Sequence, residues 1–234
     1  MKRSLNIAVI GAGLAGLTAA IHLRKEGFQV MLFEKEEYPK HKVCGEYLSN
    51  EILPYWKHLG IDPLKWGAVA IDQLELSAVN GKSLNIKLPL GGFGISRFKL
   101  DHHLLEYALS LGCTLISQTV RDIHFAENTF SISTKEHQDF EADLVIGAFG
   151  KRSNIDFKLD RKFTASKNDW LAVKAHFAAE IPSDQVSLHN FKGGYCGISM
   201  VEERKVNVCY LTRTEAFKPF KNNETFQQQV LCEN

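Results

Sequence analysis

The chain has 234 residues, of which 44% are hydrophobic and 24% charged, and a formal net charge of +1. That length accommodates one large or two small domains, and the composition is ordinary for a globular protein. The near-neutral charge, with scattered basic residues and no aromatic–basic stripe, excludes an electrostatic case for nucleic acid, and no apolar run is long enough to span a bilayer.

Met1-Lys2-Arg3 leads directly into an apolar run, so no signal peptide is expected. Ile7 to Ile10 is short, apolar and β-branched, the pattern of a strand buried on both faces of a parallel sheet. Gly11-Ala12-Gly13-Leu14-Ala15-Gly16 follows as G-x-G-x-x-G. Gly11 allows a tight turn, Gly13 a close approach of main chain to a pyrophosphate, and Gly16 close packing of the next helix on the strand. Leu14, Leu17, Thr18 and Ile21 recur at helical spacing, with His22, Arg24, Lys25 and Glu26 expected in solvent and Gly27 as the stop. Phe28 to Phe33 is the second expected strand. Glu34 at its end, beside Lys35, can accept hydrogen bonds from two ribose hydroxyls and would repel a 2′-phosphate. The order strand, glycine loop, helix, strand, acid predicts a dinucleotide-binding βαβ unit. It does not by itself separate FAD from NAD, because both present an ADP half.

Glu36 to Glu46 is polar, carries Pro39 and Gly45, and is expected as loop; His41 and Lys42 within it can hold an anionic group or serve as loop charge. A short helix is expected over Ser49–Leu59, capped by Ser49 and weakened by Pro54. Val69–Val79 and Ser83–Leu88 alternate around Asn80-Gly81, a strong hairpin pattern. Gly91-Gly92-Phe93-Gly94 follows, then Ile95-Ser96-Arg97. Leu100, Leu104, Leu105, Ala108 and Leu111 share a helix face that Gly112 ends. His102 and His103 are adjacent, so on a helix they diverge and no joint metal site is expected. Strands are expected at Cys113–Ser117, Val120–Glu127, Thr129–Thr134 and around Phe140, with Asp143–Ala148 as a buried parallel strand. Beyond Gly150 a run of antiparallel strands is expected: Trp170–Ala179, Gln185–Phe191, Tyr195–Val201 and Lys205–Thr212. A helix follows over Phe220–Cys232. The five cysteines have no C-x-x-C spacing, so free thiols of a cytoplasmic protein are expected.

Four segments carry a family resemblance: Gly11–Gly16 with Glu34; Lys42-Val43-Cys44-Gly45-Glu46-Tyr47-Leu48-Ser49; Ile95-Ser96-Arg97-Phe98-Lys99-Leu100-Asp101 with Leu104-Leu105; and Ala142-Asp143-Leu144-Val145-Ile146-Gly147-Ala148-Phe149-Gly150-Lys151-Arg152-Ser153. In this order they resemble the FAD-dependent oxidoreductases of the glutathione-reductase-like class. Within it they are most similar to the geranylgeranyl reductase group and the aromatic-hydroxylase-type flavoprotein monooxygenases. The resemblance implies an α/β fold, a Rossmann-type FAD/NAD(P)-binding domain with a β-rich substrate domain. We expect the first from residues 1–60 and 97–153 and the second, incomplete, from 61–96 and 154–234. It implies that Gly11, Ala12, Gly13, Leu14, Ala15, Gly16, Glu34, Lys35, Cys44, Gly45, Arg97, Val120, Gly147, Ala148 and Gly150 contact FAD, with no residue assigned a catalytic role.

Cys44 would lie beside the flavin or simply pack in its loop. Arg97 would reach the flavin or its phosphates, or pair with an acid such as Asp101; Val120 would offer main chain to the adenine, or only pack. Gly193-Gly194-Tyr195-Cys196-Gly197 is similar to the strand by which the reductase group covers flavin and substrate, and reads equally as a plain hairpin.

The implied activity is oxidoreduction of an apolar small molecule (isoprenoid, lipid or polyketide-like) with NAD(P)H a candidate reductant. The chemistry is either hydride delivery to a double bond or transfer of one oxygen atom from O2. Peripheral membrane contact and oligomeric state are left open. Two departures stand out. Phe149 occupies the position of the family's aspartate, which weakens a simple hydroxylase reading, and no Gly-Asp pair matches the later Gly-Asp-Ala segment that closes over FAD. We therefore expect a truncated or split version of a longer protein, the alternative being a naturally minimal flavoprotein. Two rival readings are a non-catalytic nucleotide-binding module and an NAD-only enzyme, the latter disfavoured by the Cys44 and Arg97 motifs.

Overall fold

The computed structural model describes residues 5–151, 153–165 and 168–232. The chain runs β1 (Asn6–Ile10), α1 (Leu14–Lys25), β2 (Gln29–Phe33), β3 (Tyr47–Ser49), α2 (Leu53–His58), β4 (Val69–Ser77), β5 (Ser83–Gly94) and α3 (Arg97–Ser110). It continues through β6 (Thr114–Ile116), β7 (Val120–Ala126), β8 (Thr129–Thr134), β9 (Asp139–Ala142), β10 (Leu144–Gly147) and α4 (Asn154–Lys158). The last elements are β11 (Trp170–Ala178), β12 (Gln185–Phe191), β13 (Gly194–Met200), β14 (Lys205–Arg213), α5 (Thr214–Phe217) and α6 (Asn223–Phe226). They form two compact units, Met1–Lys40 with Phe98–Ser166, and His41–Arg97 with Lys167–Asn234. Residues 41–60 go with the second unit because β3 pairs antiparallel with β5 there, Tyr47 opposite Gly94.

The first unit holds a four-stranded parallel sheet in the order β10-β1-β2-β6 and a three-stranded antiparallel sheet β7-β8-β9. Ile7, Ala8, Val9 and Ile10 of β1 are each at most 4% exposed, as a central strand covered on both faces requires. Ala8, Ile10, Phe33, Ile132, Ala142 and Ile155 make one core, with Val120 and Phe149 packed against it. Two expectations are corrected. The strand at Asp143–Ala148 is β10, an edge rather than a buried strand, and its Leu144 and Ile146 are 48% and 36% exposed. Arg24, expected in solvent, donates from Nε to the Leu111 carbonyl (2.9 Å) and from Nη1 to that of Phe28 (2.6 Å). Its guanidinium answers a carbonyl that the ending of α3 leaves without a helical partner.

The second unit is a seven-stranded sheet ordered β11-β14-β13-β12-β4-β5-β3. The expected antiparallel run is present from β11 to β12, but β12 then joins β4 in parallel, Gln185 opposite Gln73. Gly91–Gly94, given no element in the sequence reading, is the end of β5. The register breaks between Ile71 and Gln73. β5 leaves Pro89 in that break, where a residue without an N–H costs the ladder nothing. Added side-chain carbons explain the glycines. A Cβ on Gly92 would lie 2.4 Å from the Tyr47 ring, and one on Gly94 2.0 Å from the Met200 carbonyl oxygen. The expected helix at Ser49–Leu59 is a 3-10 turn capped by Ser49, followed by α2 with Pro54 harmlessly in its first turn. The helix expected over Phe220–Cys232 begins at Asn223, capped by the Asn222 side chain, and widens to a π-turn over Gln227–Leu231. Phe226 anchors it in a cluster with Phe191, Cys196 and Tyr210.

Candidate nucleotide site and a buried carboxylate

The glycine corner of the first unit is built by β1, α1 and β2. Gly11 has φ +104° and a Cβ there would lie 2.5 Å from the Ala148 carbonyl oxygen; one on Gly16 would lie 1.9 Å from that of Gly11. Both positions therefore need glycine for close main-chain approach. Gly13 is the N-cap of α1 in an extended conformation. No side chain caps the helix, and its first turn holds no acid. The first intrahelical bond runs from Leu17 N–H to the Gly13 carbonyl (2.9 Å). A helix start without a capping side chain presents main-chain donors and the positive end of the helix dipole, which is chemistry suited to a phosphate.

Glu34 turns onto this corner. Its Oε2 accepts from Ala12 N–H (3.1 Å), its Oε1 accepts from Glu36 N–H (3.0 Å), and Lys40 Nζ stands 3.0 Å from Oε1. Burial alone would raise its pKa. The hydrogen bond and charge of Lys40 and the two main-chain donors more than offset that and hold the carboxyl below its ordinary value of 4.5. The Tyr38 hydroxyl donates to the Ala12 carbonyl, and Lys40 Nζ lies 4.6 Å from the Tyr38 ring centre. Tyr38 and Lys40 were not singled out from sequence; the polar Lys-Glu-Glu-Tyr-Pro-Lys stretch directly after the acid was the available signal.

The expected site residues divide between the units. Gly11 to Gly16, Glu34, Lys35, Val120, Gly147, Ala148 and Gly150 lie in the first; Cys44, Gly45 and Arg97 lie in the second. Ala148 N–H donates to the Ile10 carbonyl (2.8 Å), which continues the β10–β1 ladder to the glycine corner. Gly150 has φ +74° and open space where a Cβ would stand. Lys35 is exposed and reaches Glu36 at 4.0 Å rather than turning inward with Glu34. Val120 opens β7 and packs on the core.

In the second unit the Cys44-Gly45 segment is held by Asn207 of β14. Its Nδ2 donates to the Gly45 carbonyl (2.9 Å) and the Cys44 carbonyl (3.4 Å). The next residue, Glu46, is fully buried and has φ +53°, an uncommon conformation for a non-glycine residue. Its Oε1 accepts from Arg97 N–H (2.7 Å) and from the Lys174 ammonium, while Oε2 meets His176 Nε2 at 2.6 Å. Lys174 and His176 are two apart on β11, so one strand face presents both. The sequence reading placed Glu46 in a polar loop. Its only signal was an acid after Cys-Gly, matched by a Lys-x-His pair more than a hundred residues later. Burial pushes the Cys113 thiol up to about 11 and the Cys196 thiol up to about 12, so neither supplies a thiolate near neutral pH.

A family model for an NAD(P)-binding Rossmann-like domain matches residues 9–40. Digeranylgeranylglycerophospholipid reductase 1 of Methanosphaera stadtmanae is 32% identical over 172 residues, which is 70% of this chain and 42% of that protein. Kynurenine 3-monooxygenase of Flavobacterium johnsoniae is 25% identical over 97% of this chain and 54% of its own length. A solved geranylgeranyl bacteriochlorophyll reductase-like protein from Thermoplasma acidophilum superposes with a TM-score of 0.77 at 19% identity, covering 96% of this chain and 60% of that one. The chain spans about half the length of the curated relatives it matches. The βαβ glycine corner and the acid that closes on it accompany this similarity to reductases and monooxygenases, and together these support an FAD-dependent oxidoreductase/monooxygenase superfamily.

Proposed function

We propose that the chain binds FAD and serves flavin-dependent oxidoreduction of an apolar small molecule, of isoprenoid, lipid or polyketide-like character, in the manner of a geranylgeranyl reductase. The observation that carries this reading is the start of α1, glycine-lined and without a capping side chain, with Glu34 facing it. The main-chain N–H groups of Leu14, Ala15 and Gly16 would hold the pyrophosphate, and Glu34 would accept from the ribose hydroxyls. Its ionised carboxylate disfavours a 2′-phosphate there by charge repulsion. Gly147, Ala148 and Gly150 supply small residues beside the same corner. FAD, when bound, would supply the two-electron chemistry, and the chain's own residues would bind and orient it. The first unit would take the nucleotide, and the β-rich second unit the substrate.

Phe149 in place of the aspartate favours hydride chemistry over hydroxylation. A monooxygenase is the second reading, favoured by the similarity to kynurenine 3-monooxygenases over nearly the whole chain. The test supplies the purified protein with FAD, NAD(P)H and a candidate polyprenyl substrate under isotopically labelled O2. The proposal expects a reduced double bond and no label in the product. Label in the product would establish the monooxygenase instead, and flavin uptake without NAD(P)H-dependent turnover would favour a non-catalytic module.

A further inference from the structure

Away from the nucleotide corner, the first unit carries a segment in which the usual sorting of side chains is reversed. Over α4 and the turn after it, Phe157, Leu159 and Phe163 are 65%, 52% and 55% exposed, while the acid Asp156 is buried beside Ile155. Large apolar groups ordinarily lie inward and an acid outward. Main-chain and polar side-chain bonds hold the reversed arrangement. Ser153 Oγ caps α4, accepting from Ile155 N–H (3.2 Å). Asp160, at φ +48°, turns the chain, and Arg161 N–H then donates to the Asp156 carbonyl (3.1 Å). Arg161 Nε stands 3.4 Å from Asp156 Oδ1, and Lys158 Nζ donates to Asp122 Oδ2 on β7 (2.7 Å). Polar groups thus staple the segment to its unit, and three large apolar side chains are left in solvent.

The charge around these side chains is the second observation. Residues 151–163 hold five basic and two acidic residues, in a chain whose formal total is only +1. Lys158 and Arg161 remain exposed within their ion pairs, and Lys162 is exposed beside Phe163. An apolar protein partner would have no use for a local excess of positive charge. The interface of an anionic bilayer uses both features: rings enter the boundary of the acyl chains, and basic groups meet lipid phosphates with their methylene stems along the apolar surface. We propose that the Phe157–Phe163 segment docks the first unit on a membrane surface rich in anionic lipid. Three side chains and a modest charge excess give reversible adsorption rather than insertion. The inference rests on the surface of the first unit and stands apart from the flavin reading.

The test mixes the full chain with vesicles of phosphatidylcholine alone, or of phosphatidylcholine with an equal part of phosphatidylglycerol, and reads the bound fraction by sedimentation. The expected result is saturable binding to the anionic vesicles, weakened about tenfold on neutral vesicles or in about 0.5 M salt. The double variant Phe157→Ser with Phe163→Ser should weaken it about tenfold as well. Leu84→Ser removes a comparably exposed side chain, 57% exposed, from the β4–β5 hairpin of the second unit and should leave binding unchanged. All of these side chains are exposed, so the variants keep the fold, which circular dichroism checks. Phe163→Trp gives a local readout: it should bind like the native chain, and lipids brominated on their acyl chains should quench the added emission. No binding to anionic vesicles, undiminished binding in the double variant, or added emission that brominated lipid leaves untouched overturns the proposal. Self-association that the double variant abolishes, without vesicle binding, also overturns it and makes a second copy of the chain the occupant.

Discussion

Glu34 and Glu46 are both buried acids, yet they differ in how the sequence exposes them. Glu34 stands at the end of an apolar strand after a glycine loop, so its place is fixed by local order. Glu46 depends on Lys174 and His176, which only the folded sheet of the second unit brings to it. No local pattern reports a partner that far along the chain, which is why Glu46 looked like a loop acid. Each makes a distinct prediction. The folded-state pKa of Glu34 is depressed, so its bonds stabilise the protein above the ordinary value of 4.5, and that stability is lost as pH falls toward and through the folded value. Lys40→Met removes the ammonium but leaves the Ala12 and Glu36 N–H donors. It should cost about 2 kcal/mol near neutral pH, below the usual range for a fully stranded buried charge, and flatten the acid limb of a stability–pH profile. An unchanged acid limb would count against the pairing. Glu46→Gln keeps a hydrogen-bond acceptor for Arg97 N–H but leaves Lys174 buried without a counter-charge. It should lower stability by about 3 kcal/mol in denaturant unfolding.

At the scale of elements, the sequence was most legible where the hydrophobic period was unbroken. β1, α1, β2, the β4–β5 hairpin and α3 stand where their spacing places them. It left Gly91–Gly94 without an element, because glycine is depleted in strands and enriched in loops. Here the missing side chains make room for the Tyr47 ring and the Met200 carbonyl, a tertiary reason that propensity does not contain. Gly94→Val would drive side-chain atoms into that carbonyl and should destabilise the protein by about 3 kcal/mol, at the upper end of the overpacking range. Gly81→Ala, at a hairpin tip with nothing within 4 Å of an added Cβ but φ +78°, should cost about 1 kcal/mol through backbone strain alone. Equal effects of the two substitutions on the unfolding midpoint would contradict the packing account. The burial of β10 was misjudged for a related reason. An apolar run states that a strand is apolar, not how many neighbours it has, and β10 ends its sheet.

Across the whole molecule, the first unit is α/β and the second is strand-rich, and long-range pairing decides which unit residues 41–60 join. β3 pairs antiparallel with β5, which carries residues 41–60 into the second unit. Among the described residues no helix is long and apolar enough to cross a membrane. The central claim is that a diphosphate rests on bare main chain at the start of α1 while Glu34 holds the adjoining sugar. Titration of the chain with FAD, followed by flavin absorbance and calorimetry and compared with Gly13→Val, tests it most directly. The account predicts a one-to-one complex for the native sequence and loss of binding in the variant, whose fold is checked by circular dichroism. Stoichiometric FAD retained by a folded Gly13→Val protein would contradict it.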